Sequence, residues 1–250
     1  MNSTRKIAAI TGVIFIIATV TAILAAALVP VLTGADYLSK VSANANQVAA
    51  GAFLYLMAAF TSVGIAISLY PVLKERNAGL ALGSVVFRTL EAAFYMVAVL
   101  SLLSLLTLSQ QFTQAGAADR ASLQAAGDSL VIARDHATLL GVFAFSLGAF
   151  MYYYLFFQSR LIPRWLSGWG IVAIILMMAA CVLALFSDRP VTGYALLYLP
   201  IAVQEMVLAV WLIVKGFNPS AIEPELGKGE VKPDGDSNPA LKQDAPAARA

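Results

Sequence analysis

The chain has 250 residues, of which 60% are hydrophobic and only 12% are charged, and its formal net charge is +2. Soluble domains carry about 25% charged residues, so this composition and the mean hydropathy of +0.81 indicate an integral membrane protein. The basic residues lie at the ends of apolar runs and form no stripe. We therefore expect a lipid bilayer as the partner and no nucleic acid.

The scarcity of cysteine and histidine excludes several kinds of site within this chain. Cys181 is the one cysteine and His136 the one histidine. An intramolecular disulfide, a thiolate metal cluster, a bis-histidine haem site and a zinc hydrolase site with several histidines are thereby excluded. No metal and no cofactor is predicted. No catalytic triad is recognisable either, so the sequence does not indicate an enzyme.

Six apolar runs are each long enough to cross a hydrocarbon core of about 30 Å at about 1.5 Å per helical residue. They predict an all-α polytopic fold, with six transmembrane helices in one bundle that forms a single domain over residues 1–217. The predicted spans are residues 7–32, 48–73, 78–108, 137–157, 165–186 and 194–214.

The distribution of basic residues predicts the orientation of the bundle. The connections at one end carry more Lys and Arg than those at the other, and the positive-inside rule then places both termini in the cytoplasm. Tyr70, residues 152–157, Trp165 and Trp169 are expected to form an aromatic belt at the inner interface. The predicted inner basic residues are Arg5, Lys6, Lys74, Arg76, Arg160, Arg164 and Lys215, and the outer ones are Lys40, Arg120, Arg134 and Arg189.

Two segments lie outside the predicted spans. Residues 109–135 form the one long external connection, and its later part, residues 119–136, is predicted to be a helix that runs into the fourth span. This connection is either a lid or ligand platform or a solvated helical extension. Residues 218–250 contain five prolines, four basic and six acidic residues, and we expect a disordered cytoplasmic tail.

The third span contains two charges on one face. Arg88 and Glu91 are three residues apart, and helical steps add Ser84 and Tyr95 to the same stripe. An ionisable side chain in a membrane helix costs about 2.5 to 3.5 kcal/mol on insertion scales, so such residues normally face the interior of a bundle. The stripe is therefore expected to face the other helices.

The sixth span carries a second carboxylate. Glu205 follows Gln204 and shares a helix face with Tyr198. Counted along the helices, Glu205 lies about 16 Å from the outer end and Glu91 about 13 Å from the inner end, so both are near the midplane. The two helices are antiparallel, which would let Arg88, Glu91 and Glu205 meet.

One arginine and two carboxylates leave one negative charge in excess. Either one glutamate is protonated, or a cation or cationic ligand occupies the site, or water enters from one side. We therefore predict a site that binds or transports a small molecule or ion, with possible coupling to protons. The alternative is a non-catalytic scaffold or accessory subunit whose ion pair only fixes helix packing, and homo-oligomerisation is left open. The predicted site residues are Arg88, Glu91, Glu205, Tyr95, Tyr198 and Gln204.

Three stretches carry a resemblance to a known family. They are LYPVLKERNAGLALGSVVFRTLEAA, ARDHATLLGVFAFSLGAFMYYYLFFQSRLIPRWLSGWG and LPIAVQEMVLAVWLIVKGF. In order and spacing they resemble a bacterial membrane family known as domain of unknown function 4386. The resemblance covers most of residues 5–217. It implies a polytopic protein of the bacterial cytoplasmic membrane and no established activity, and Gln204 stands where relatives often have glycine.

Overall fold

The computed structural model describes residues 3–187 and 189–226, and of residues 223–226 it describes the backbone. All regular structure in these ranges is helical, and six helices are long and apolar enough to cross a membrane, which confirms the all-α, six-span prediction. These six are α1 (Ser3–Leu28), α3 (Ala45–Leu73), α4 (Ala78–Gln114), α5 (Ala117–Ser159), α6 (Arg164–Leu185) and α7 (Ala195–Val214). Shorter elements are α2 (Tyr37–Ala43), one 3-10 turn (Val191–Tyr194) and α8 (Pro219–Leu226).

The six long helices pack side by side in chain order, and α1 closes the ring against α7. In that order α4 and α7 stand opposite each other. Helix α5 is the most enclosed of the six, with 61% of its most apolar window buried against about 30% in the others. Side chains of α5 therefore fill the space between α4 and α7, which is where the predicted site lies.

The two ends of the bundle differ in how the chain passes through them. We call the end at which α1 begins and α7 ends the terminal face, and the other end the opposite face. At the terminal face Arg5 donates hydrogen bonds to the carbonyl oxygens of Leu212, at 2.9 Å, and Ile213, at 2.6 Å. These carbonyls belong to the last turn of α7 and lack helical partners, so Arg5 caps that helix.

At the opposite face the helices run further than the predicted spans. Helix α4 continues to Gln114 and α5 begins at Ala117, so the expected long connection is a tight turn between two helices. The predicted helix over residues 119–136 that continues into the fourth span is confirmed. Helix α2 packs against α4 at this face, and its Tyr37 hydroxyl donates a hydrogen bond to Asp128 Oδ1 of α5 at 2.8 Å.

Two predicted boundaries need correction. Helix α1 ends at Leu28 rather than at residue 32, because Pro30 disfavours the helical conformation of the residue before it. The predicted disordered tail begins too early, since α8 covers residues 219–226. The chain is held there by hydrogen bonds from Asn218 N to Leu161 O, at 2.8 Å, and from Arg76 to Ala221 O. Residues 227–250 lie outside the described residues.

Candidate ligand and proton site

A buried ion pair forms one half of the site. Arg88 Nε lies 3.2 Å from Glu91 Oε2, and the two side chains are 2% and 4% exposed. Ser62 of α3 donates a hydrogen bond to the same Glu91 oxygen at 2.7 Å. The Phe145 ring of α5 lies 4.4 Å from Arg88 Cζ, in a cation–π contact. Three helices therefore converge on one charge-assisted pair.

Two glycines of α5 make room for the polar stripe of α4. A Cβ atom on Gly148 would lie 3.1 Å from Arg88 Cγ, and one on Gly141 would lie 2.6 Å from Tyr95 Cε1. Arg88 and Tyr95 are seven residues apart on α4, and their partners Gly148 and Gly141 are seven residues apart on α5 in the opposite direction. This spacing is expected for antiparallel helices that pack in a fixed register. The small residues of α5 thus accommodate Arg88 and Tyr95.

Glu205 faces this pair from the other side of the ring. Its carboxylate interacts electrostatically with both Arg88 and Glu91. The structure thus brings together Arg88, Glu91 and Glu205, which we call the charged cluster. Within it, Arg88 and Glu91 form an ion pair closer than 4.0 Å. The hydroxyls of Thr19, on α1, and Tyr152, on α5, lie beside the Glu205 carboxylate.

Several polar atoms around Glu205 are buried without a hydrogen bond of normal geometry to any residue that the structure describes. A buried donor or acceptor without a partner costs about 1 to 3 kcal/mol, and native proteins keep few of them. Such atoms are concentrated in this part of the bundle. The atoms are Thr19 Oγ1, Arg88 Nη1, Tyr152 Oη and Glu205 Oε1, with Ser84 Oγ one turn from Arg88.

Gln204 is directed elsewhere. The Tyr153 hydroxyl donates to Gln204 Oε1 at 2.5 Å, and Gln204 Nε2 donates to Leu166 O at 3.0 Å. The side chain is fully buried and connects α5, α6 and α7. Its amide therefore holds these helices together. Both polar atoms of the amide already have hydrogen-bond partners, so Gln204 adjoins Glu205 in sequence without contributing a free polar atom to the site.

A cavity of about 280 Å³ lies between the charged cluster and the opposite face. Tyr95 and Tyr198 both line it, and the Tyr198 hydroxyl donates to Thr192 O at 2.9 Å. Most of the wall is apolar, with alanines on three helices. The polar and aromatic members of the wall are Tyr55, Tyr95, Tyr198, Arg134, Thr138 and Thr192.

The family model for a domain of unknown function (DUF4386) matches residues 10–216. The chain belongs to this family. No curated protein and no solved structure matches it. Together with the six apolar helices, the match makes the chain an integral, multi-pass membrane protein of a family without an assigned activity. All residues of the cluster and of the cavity wall lie within the matched range.

Three members of the cluster were not predicted from the sequence. Thr19 and Ser62 are single hydroxyl residues within apolar spans, and such residues usually bond to their own helix backbone, so their signal is weak. Tyr152 was expected in an interfacial belt. It is instead fully buried, together with Tyr153 and Phe156, because α5 is the most enclosed helix of the ring.

No metal site emerges from the described ranges. Within residues 3–187 and 189–226, no three His, Cys, Asp or Glu side chains are grouped so that they could hold a metal ion. The chemistry of the cluster is therefore that of one guanidinium, two carboxyl groups and neighbouring hydroxyls. Such a set can bind, orient and exchange protons or a cationic group.

Proposed function

We propose that the protein binds or transports a small molecule or ion, and that the carboxyl group of Glu205 changes its protonation state when the ligand binds. The observation that carries the proposal is the buried Glu205 Oε1 atom, which lacks a hydrogen bond of normal geometry to the described residues although the hydroxyls of Thr19 and Tyr152 lie beside the carboxylate. An atom in this position is stabilised by a proton or by a positively charged group.

The charges of the cluster support this role for Glu205 rather than for Glu91. Glu91 already has Arg88 as a partner at 3.2 Å and accepts a second bond from Ser62. Glu205 is the second carboxylate opposite a single guanidinium. A buried negative charge without a partner is costly, so the site favours a proton or a cation over an anion.

A pH series of thermal unfolding in detergent tests the proposal. Unfolding stability depends on pH only where the folded and unfolded states bind different numbers of protons. We expect the wild-type unfolding temperature to change between about pH 5 and 8, and Glu205→Gln to remove that change.

Glu75→Gln is the matched control, because the Glu75 side chain is 59% exposed at the terminal face and the same substitution there leaves the cluster intact. The control should retain the wild-type profile. A flat wild-type profile, or a Glu205→Gln profile identical to that of the wild type, would exclude Glu205 as the titrating group.

A second candidate function is a non-catalytic scaffold, and the contacts of Glu91 with both Arg88 and Ser62 favour it. On this hypothesis the pair only fixes the register of α3, α4 and α5. Replacing both Arg88 and Glu91 with uncharged side chains of similar shape would then leave folding and the cellular phenotype unchanged, whereas single replacements would damage folding.

The proposal includes an orientation in the bacterial cytoplasmic membrane with both termini in the cytoplasm. It rests on the excess of basic side chains at the terminal face, where Lys6, Lys74, Arg160 and Lys215 lie. The cavity then lies on the external side of the charged cluster. Labelling of single cysteines introduced at the two faces of a Cys181→Ala chain, in intact cells, tests this orientation.

A further inference from the structure

We propose that the cavity binds an organic cation, namely an amine or quaternary ammonium group that carries one aromatic or branched apolar substituent. This inference rests on the proposed function, because it assigns a chemical class to the ligand whose charge Glu205 accepts. Its own grounds are the position, the size and the lining of the cavity.

Residues on three helices show that the cavity lies next to the charged cluster, on the side of the opposite face. On α1, Ala22 lines the cavity and Thr19 lies one turn closer to the terminal face. On α4, Tyr95 lines the cavity and Glu91 lies one turn closer to the terminal face. Residues three or four apart share a helix face, at an axial separation of about 5 Å.

On α7, Tyr198 lines the cavity and Glu205 lies two turns closer to the terminal face on the same side of the helix. A ligand in the cavity therefore has the carboxyl group of Glu205 on its terminal-face side.

The size of the cavity suits one ring with a short substituent. Its volume is about 280 Å³. An apolar cavity of about 150 Å³ in another protein is large enough for benzene, so this one holds a phenyl-sized group and a further chain of a few atoms. Inorganic ions alone would leave most of the apolar wall without contacts.

The lining favours a cation over a neutral molecule or an anion. Tyr55, Tyr95 and Tyr198 all contribute to the wall, and the faces of aromatic rings attract ammonium groups. Arg134, at the opposite face, is held by Asp135 at 3.1 Å, so this pair adds no net charge. The excess negative charge of Glu205 on the terminal-face side of the cavity adds to the attraction and opposes a carboxylate ligand.

Thermal-shift titrations of the purified full chain in detergent at neutral pH test the inference. The probes are 2-phenylethylamine, 2-phenylethanol and phenylacetate, which share a phenyl ring and differ in charge. We expect the amine to stabilise the protein with an apparent Kd about tenfold lower than that of the alcohol, and phenylacetate to bind more weakly than either.

A matched pair of variants on α4 locates the binding site. Ala98 lines the cavity and is 9% exposed, so Ala98→Leu fills the cavity and should abolish stabilisation by the amine. Ala93 lies on the exposed side of the same helix, and Ala93→Leu should retain the wild-type response. Glu205→Gln should bring the Kd of the amine close to that of the alcohol while the Kd of the alcohol stays unchanged.

Equal affinities of the amine and the alcohol for the wild type would overturn the inference, as would tighter binding of phenylacetate, or stabilisation by the amine that persists in Ala98→Leu. None of these results depends on the pH profile of unfolding that is measured without ligand. The inference can therefore fail while the proposed protonation of Glu205 stands. Conversely, a wild-type unfolding temperature that does not change with pH, together with tighter binding of the amine than of the alcohol, would overturn only the proposed protonation change.

Discussion

The charged centre of the bundle has two halves that differ in how their polar atoms are satisfied. In the Arg88 half, Arg88 Nε, Glu91 and Ser62 are joined by contacts of 2.7 and 3.2 Å, and Arg88 Nη1 is the atom of these side chains that is buried without such a bond to the described residues. In the Glu205 half, the oxygen atoms Thr19 Oγ1, Tyr152 Oη and Glu205 Oε1 are buried with no normal hydrogen bond to the residues the structure covers. Both halves lie in the same low-dielectric environment, so burial alone does not explain the difference.

On the proposed function, this contrast separates a packing role of the Arg88 half from a ligand- or proton-binding role of the Glu205 half. A satisfied buried pair fixes the register of the helices that supply it, and it resists change because breaking it strands a charge. A group of buried polar atoms without partners is stabilised when another group arrives, so its free energy depends on ligand or proton concentration. Substitutions in the two halves should therefore have different effects on stability.

Removing one member of the Arg88 half should have the largest effect. Arg88→Met leaves the Glu91 carboxylate buried without its cation, and we expect a loss of about 3 to 5 kcal/mol in unfolding free energy, measured by denaturant titration in detergent. Adding Glu91→Gln should recover most of this loss, since the stranded charge is then removed.

Lys74→Met is the control for loss of a cation at the surface. Lys74 lies 3.7 Å from Glu75, both side chains are well exposed, and such pairs contribute about 0 to 1 kcal/mol. Equal destabilisation by Arg88→Met alone and by the double variant would contradict the prediction, because it would show that the charge of Glu91 does not matter.

The glycines of α5 offer a second, smaller test of the Arg88 side of the cluster. A Cβ on Gly141 would lie 2.6 Å from the Tyr95 ring, so Gly141→Ala should cost about 1 to 3 kcal/mol through overpacking. The control is Gly64→Ala on α3, where the nearest side-chain atom, Ile14 Cγ2, is 3.6 Å away. Comparable stabilities of the two variants would mean that α4 and α5 can separate at Tyr95 without loss.

The sequence predicts the fold and the charged members of the site better than it predicts the neutral ones. Apolar run length indicates six spans, because crossing a bilayer sets a minimum helix length. Arg88, Glu91 and Glu205 are conspicuous because charge is rare and costly within such runs. Both signals are local properties of the chain and need no knowledge of which helices touch.

The remaining features depend on which helices are neighbours. Tyr152 belongs to the Glu205 half because α5 is largely enclosed by the other helices, and nothing in the run 152–157 itself distinguishes this position from an interfacial belt. Gln204 sits beside Glu205 in sequence, yet its side chain points to Tyr153 and Leu166, because adjacent helical residues face different directions. The cavity likewise arises from spacing between helices and has no sequence motif.

Adjacent tyrosines on α5 allow the sharpest comparison of the two kinds of environment. Tyr152 and Tyr153 are both fully buried, and their ring centroids are 4.6 Å apart. The Tyr153 hydroxyl donates to Gln204 at 2.5 Å, so Tyr153→Phe leaves Gln204 Oε1 without its donor and should cost about 1 to 3 kcal/mol. Tyr152→Phe removes a hydroxyl without a hydrogen bond of normal geometry to the described residues, and we expect a smaller loss of unfolding free energy than from Tyr153→Phe.

Each variant is the control for the other, because the substitution, the helix and the burial are the same. Tyr152→Phe should nevertheless alter the pH profile of unfolding, since its hydroxyl lies beside Glu205, whereas Tyr153→Phe should lower stability equally at every pH. Equal losses from the two substitutions would show that the Tyr152 hydroxyl is bonded as firmly as that of Tyr153. The Glu205 half would then be a packing element like its neighbour, and the scaffold hypothesis would replace ligand binding as the better account of the cluster.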